Sequence, residues 1–269
     1  MDFCCQRADE GARPGGWFLG ACAAPFVASA AGTIVWGASM AAMPGMSMPG
    51  GWTMSMAWMR MPEQSWAGAA ASFLGMWTLM MVAMMLPSLV PALWRHRQAV
   101  MVVASARRAA SLGVLVGTGY FLVWAAQGAL VYPLGVALAG AAMRWPALAR
   151  AVPLGVGLVV LAAGALQVTS WKARHLACCR GRSPISSRAD GRGALRDGVR
   201  LGLHCGACCA GLTSVLLVAG VMDLAVMGAV TVAVTAERLA PAGARVARAI
   251  GAVLVATGLF LIARAVWSW

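Results

Sequence analysis

Cysteine and histidine occur side by side twice in this chain, at spacings that bring sulfur and nitrogen together. His204, Cys205, Cys208 and Cys209 fall close in sequence; on a helix His204/Cys208 and Cys205/Cys209 are i,i+4 pairs and Cys205/Cys208 is an i,i+3 pair. One helical face then presents both ligand types. A second group, His175, Cys178 and Cys179, follows the fourth apolar run, so two of the chain's three histidines stand beside cysteine pairs. Thiolate and imidazole in such groups build tetrahedral Zn(II) or low-coordinate Cu(I) sites. Two other readings stay open: cysteines as small packing residues, and a thiol–disulfide relay through Cys205, Cys208 and Cys209. Cys4, Cys5 and Cys22 have no such partners.

Methionine adds a second kind of soft donor. Eight of the eighteen methionines lie between Met40 and Met61, in a stretch broken by Pro44, Gly45, Pro49, Gly50 and Gly51 that cannot form one long helix. Thioethers there, Met43, Met46, Met48, Met54 and Met56 among them, favour Cu(I) over hard cations and need no deprotonation. The competing reading is an apolar interfacial loop anchored by Trp52, Trp58 and Trp66. Further on, Met76, Met80 and Met84 repeat at i, i+4, i+8 and form one helical stripe, either a ladder for a soft cation or plain apolar filler.

The elements that position these residues are membrane spans. Of 269 residues, 61% are hydrophobic and only 11% charged, with a mean hydropathy of +0.78, against about 25% charged residues in soluble domains. That composition excludes a water-soluble enzyme. Runs of about 20 apolar residues place seven spans, at 17–38, 68–90, 111–132, 152–171, 200–220, 223–239 and 248–267. The expected fold is an all-α transmembrane bundle over 17–269, preceded by a tail at 1–16, with a methionine-rich external loop at 39–67 and a basic cytoplasmic loop at 172–200. Pro87 and Pro91 are expected to end the second helix.

Positive residues are retained on the cytoplasmic side. With the N-terminus inside, seventeen Lys and Arg fall on that side and four, Arg60, Arg144, Arg150 and Arg264, on the other. A cytoplasmic N-terminus with an external C-terminus follows, with cleavage of the first span as a signal peptide as the alternative. The net charge of +13 is explained by this retention and by anionic lipid; no nucleic-acid partner is expected, because the basic loop lacks interleaved aromatics. Gly113-x3-Gly117 and Gly202-x3-Gly206 are expected to let helices approach closely.

Several motifs, taken in order, are more specific than any alone: Met80-Met81-x-Ala83-Met84-Met85-Leu86-Pro87-Ser88, Gln167-x-Thr169-x2-Lys172, Leu176-x2-Cys179-Arg180 with Pro184, Cys205-x2-Cys208-Cys209, Gly220-Val221-Met222 and Glu237-Arg238. Over about residues 65–265 the chain resembles the bacterial predicted metal-binding integral membrane proteins, a domain of unknown function with copper-chaperone-like descriptions. The resemblance implies a polytopic inner-membrane protein with a metal site. That family's pattern has a cysteine where this chain has His175 and a glycine where it has Ala207. A histidine keeps a metal ligand but removes a redox thiol, which favours metal over relay chemistry.

The expected function is binding of a soft transition metal, most readily Cu(I) with Zn(II) as the alternative, and assistance in its delivery at the membrane to a copper-dependent membrane or periplasmic protein. The rivals are a membrane thiol–disulfide oxidoreductase and an accessory subunit that stabilises or metallates a partner enzyme. No G-x4-G-K-[ST] is present, so ATP-driven pumping is not expected, nor is enzymatic activity. Glu237, one of eight acidic residues, should lie level with Cys205, Cys208 and Cys209, because the fifth and sixth spans form a hairpin about Val221-Met222. There it would ligate the metal, take a thiol proton, or pair with Arg238 or Lys172.

Overall fold

The computed structural model describes residues 15–42, 45–60, 63–180 and 190–267. Met43, Met61, Cys4, Cys5 and Pro184 lie outside the described residues, as do the side chains of Cys178 and Arg180. The described residues are all-α apart from one small hairpin: α1 Gly16–Ala41, β1 Met46–Met48, β2 Trp52–Met54, a 3-10 turn Met56–Trp58, then α2 Trp66–Met101, α3 Ala106–Arg144, α4 Pro146–Gln167, α5 Ser170–Arg180, α6 Gly191–Ala219, α7 Leu224–Leu239 and α8 Gly243–Trp267. Six of these helices, α1, α2, α3, α4, α6 and α8, are long and apolar enough to cross a membrane. The longest helix interfaces pair α4 with α8 and α3 with α6; α1 packs on α2.

The structure revises several expected boundaries. Leu224–Leu239 is only 16 residues, about 24 Å of rise against a hydrocarbon core of about 30 Å, so the expected sixth span falls short. Its last turn carries Glu237 and Arg238, and Pro241 follows its C-cap Ala240. Pro87 and Pro91 do not end the second helix, which continues to Met101 and buries His96, Arg97 and Val100 beyond them. Core packing outweighs the lost backbone bonds. The expected loop at 172–200 holds α5 and the first turns of α6, which Asp190 caps by accepting from the Gly193 amide at 2.9 Å.

Glycine sets the closest helix contact. A Cβ on Gly202 would lie 2.9 Å from the Tyr120 carbonyl, and one on Gly198 would clash with the Val116 backbone, so α3 and α6 touch nearly backbone to backbone. Gly113 and Gly117 meet nothing within 4 Å, against expectation; Gly119 is the glycine of α3 that faces α6. The α6–α7 hairpin turns at Gly220, whose φ of +132° suits glycine, and Asp223 then caps α7 through the Ala225 and Val226 amides.

Candidate metal centre

The α3–α6 contact brings a tyrosine onto a cysteine. Tyr120 follows Gly119, Cys205 lies one turn after Gly202, and the Tyr120 hydroxyl and Cys205 sulfur are hydrogen-bonded at 2.8 Å. Cys205, Cys208 and Cys209 are buried in the interior. They do not begin the helix, as expected from sequence. From Gly191 to Cys205, α6 rises about 21 Å, which puts the cysteines midway along it.

α5 folds back beneath the short α7 and supplies a fourth sulfur. Cys179 packs against Cys208, and the Cys179, Cys205 and Cys209 sulfurs converge within 3.7 Å of one Arg238 nitrogen, so the two helices bring four sulfurs into one neighbourhood. Cys179 also contacts the His204 carbonyl at 3.6 Å. Its thiol is held below the usual value, chiefly by the Cys208 hydrogen bond, with burial opposing and the Arg238 charge assisting.

The histidines stand apart from the sulfurs. His204 is exposed and half-buried His175 faces it, with ring centroids 6.3 Å apart; Trp171 packs edge-on against His175 at 4.3 Å. Burial, then the neighbouring His204, Arg174 and Lys172, lowers the His175 pKa, which favours the neutral, ligand-competent imidazole. The expected shared face of His204 and Cys208 is thus divided, one side chain outward and the other inward.

Beside the sulfurs lies a closed ion pair. Lys172 Nζ donates to Glu237 Oε2 at 2.7 Å and to the Cys208 carbonyl at 2.7 Å, while Gln167 Nε2 donates to Glu237 Oε1 at 2.6 Å. Glu237 is therefore level with Cys208, as the hairpin registration requires. Both of its oxygens are taken, which makes it the partner of Lys172 in this arrangement and not a ligand. The next residue turns the other way: Arg238 Nη2 lies 2.8 Å from Cys205 Sγ and 3.7 Å from Cys179 and Cys209 Sγ, and Nη1 donates to Ser88 Oγ at 3.1 Å.

A guanidinium lies among the sulfurs, and no three His, Cys, Asp or Glu side chains among the described residues are arranged to hold an ion as they stand. The donor chemistry nevertheless fits a soft monovalent ion. Thiolates and thioethers are the ligands Cu(I) prefers, and the thioethers reach the same core. Met76, Met80 and Met84 are at most 4% exposed, and Met81 and Met85 are equally buried, so the run faces the interior and not lipid. All five share one continuous cluster with Cys205 and Cys209.

The methionine-rich segment folds as a hairpin in which Met46 pairs with Met54 and Met48 with Trp52. Strand alternation puts these four side chains on one face. Met48 and Met54 are buried against Ala139, Ala142 and Ala149, and Trp52 Nε1 donates to the Ala149 carbonyl at 2.8 Å; Met46 stays exposed and Met56 half-buried. Trp58 touches both this cluster and the main core, where it packs on Phe73 at 5.3 Å.

Sequence reasoning missed Tyr120 and gave Arg238 only a pairing role. A tyrosine hydroxyl and a guanidinium inside apolar helices each require a partner, and that requirement was the available signal.

Helical spans around a buried sulfur cluster define a multi-pass membrane protein with a soft-donor interior. The sequence pattern of the PpoB2 family, described as copper chaperone, matches residues 74–261. The chain belongs to that family. No curated protein sequence and no solved structure matches it.

Proposed function

We propose that this protein binds Cu(I) as cargo at Cys179, Cys205, Cys208 and Cys209 and delivers it to a copper-dependent membrane or periplasmic protein. The observation that carries this reading is the convergence of the Cys179, Cys205 and Cys209 sulfurs within 3.7 Å of one nitrogen, with Cys205 and Cys209 in the same buried core as the Met76, Met80, Met84 ladder. Membership of a copper-chaperone family supports it. Met46, Met48, Met54 and Met56 are the capture site, Met43 belongs to the same segment, and Trp58 adjoins both the hairpin and the ladder core. His175, Cys178 and His204 form the release side next to Cys179. Cu(I) suits both donor types, whereas Zn(II) is a poor thioether partner.

In this reading the protein acts as a carrier and not as an enzyme, in a bacterial inner membrane with its N-terminus in the cytoplasm. Lys172 and Glu237 neutralise one another beside the cargo, and among the described residues Arg238 brings a charge into contact with the sulfurs. A second reading, thiol–disulfide exchange, has in its favour the Cys205 and Cys209 sulfurs gathered about one nitrogen. Elemental analysis of purified protein with a free-thiol count tests the choice: copper bound with the cluster thiols reduced is expected, and metal-free protein with a Cys205–Cys209 or Cys208–Cys209 disulfide contradicts it.

A further inference from the structure

We propose that Arg238 is a place-holding cation: its guanidinium occupies the space among Cys179, Cys205 and Cys209 that arriving Cu(I) takes, and metal loading moves it aside. This inference rests on the reading of the cluster as a Cu(I) site. A single nitrogen, Nη2, is within 3.7 Å of three sulfurs from two different helices. An ion shared by those sulfurs needs the same position.

The surroundings of Arg238 are unusual for arginine. A guanidinium remains charged and accepts no hydrogen bond, and it ordinarily binds carboxylates through a bidentate fork. Here its partners are three sulfurs and the Ser88 hydroxyl. The neighbouring carboxylate, Glu237, is engaged by Lys172 and Gln167. The sulfur cluster thus already holds one monovalent cation, of the same charge as Cu(I); the guanidinium gives up its sulfur contacts as the metal takes them, and each thiol that becomes a ligand releases its proton to solvent. No electrons move in that exchange.

The side chain has an anchor that does not depend on the sulfurs. Nη1 is anchored on Ser88, and Nε is buried without a partner among the described residues. Ser88 lies one helical turn beyond Met84, the last thioether of the ladder. A guanidinium that keeps its Ser88 bond while Nη2 leaves Cys205 uncovers the sulfurs beside the ladder's end. The C-terminal turn of α7, where Arg238 sits, favours a cation in either position.

The test uses the full-length protein in detergent, wild type beside Arg238→Gln and Arg238→Lys. Its probes are Cu(I) supplied anaerobically against a competing chelator, and alkylation of Cys205 in metal-free protein. A place-holder competes with the metal, so Arg238→Gln should bind Cu(I) more tightly, roughly tenfold or more. Arg238→Lys, which keeps the charge but loses the planar fork, should fall between. Cys205 should be alkylated faster in both variants. Equal or weaker Cu(I) binding by both variants would overturn the proposal, because it would make Arg238 a support for the ligands and not a competitor. If wild type binds no Cu(I), the copper reading itself fails, and the alkylation rates alone still decide whether Arg238 covers Cys205: unchanged rates refute it.

Discussion

Lys172 and Glu237, separated by 65 residues in sequence, meet at 2.7 Å in the interior, with side chains 3% and 2% exposed. The contact ties α5 to the end of α7, and the second Lys172 bond, to the Cys208 carbonyl, ties both to α6. Breaking a buried pair by removing one partner costs about 3–5 kcal/mol, whereas replacing both with apolar groups is often near neutral. Lys172→Met and Glu237→Leu should therefore each lower the unfolding temperature in detergent substantially, and the double variant should recover most of the loss. A double variant as unstable as the sum of the singles would show that the two residues act independently.

The α3–α6 contact should tolerate no side chain. Gly198→Val places branched carbon against the Val116 backbone, and overpacking of this kind costs about 1–3 kcal/mol or more. The same displacement should lengthen the Tyr120–Cys205 hydrogen bond. Thermal unfolding together with the Cys205 alkylation rate checks both effects. Gly113→Val, at a glycine with nothing within 4 Å, should leave both unchanged.

Methionine as ligand and methionine as filler are separated by leucine. Leu for Met conserves volume and costs less than about 1.5 kcal/mol in a core, but it removes the thioether donor. Met76→Leu/Met80→Leu/Met84→Leu should remain folded, with little change in unfolding temperature, and should load the cysteine cluster with Cu(I) more slowly from the hairpin side. Changing Met46, Met48, Met54 and Met56 to Leu should lower the number of Cu(I) ions bound. Loading rate and stoichiometry equal to wild type in both sets would leave the methionines as packing alone.

The spans were legible in the sequence because about twenty apolar residues in a row admit few other structures. The depth of the site was not. Residues 191–200 carry Arg192, Arg196, Asp197 and Arg200 and read as loop, yet Ala194 and Gly198 lie buried on the face toward α3. That short apolar stripe extends α6 and moves the cysteines from its start to its middle. The Glu237–Cys208 registration was legible, because a tight turn at Gly220 leaves little freedom in pairing two helices. Cys179 could be named but not placed: its approach to Cys208 depends on α5 folding back, a tertiary outcome with no local pattern.

A carrier keeps its thiols reduced, and a relay cycles them. Acid trapping of cells followed by alkylation should find Cys205, Cys208 and Cys209 as thiols. An oxidised fraction that tracks the thiol status of the cell would favour the exchange reading of Cys205 and Cys209.

The most direct measurement is anaerobic Cu(I) competition between the purified protein and a high-affinity chelator, run on wild type and on Cys205→Ser/Cys208→Ser/Cys209→Ser. Serine keeps the size of the side chain but replaces a soft donor with a hard one. Wild type should withdraw Cu(I) from the chelator, and the triple variant, folded by its unfolding curve, should not. Equal withdrawal by both would contradict the assignment of the cysteine cluster as the copper site.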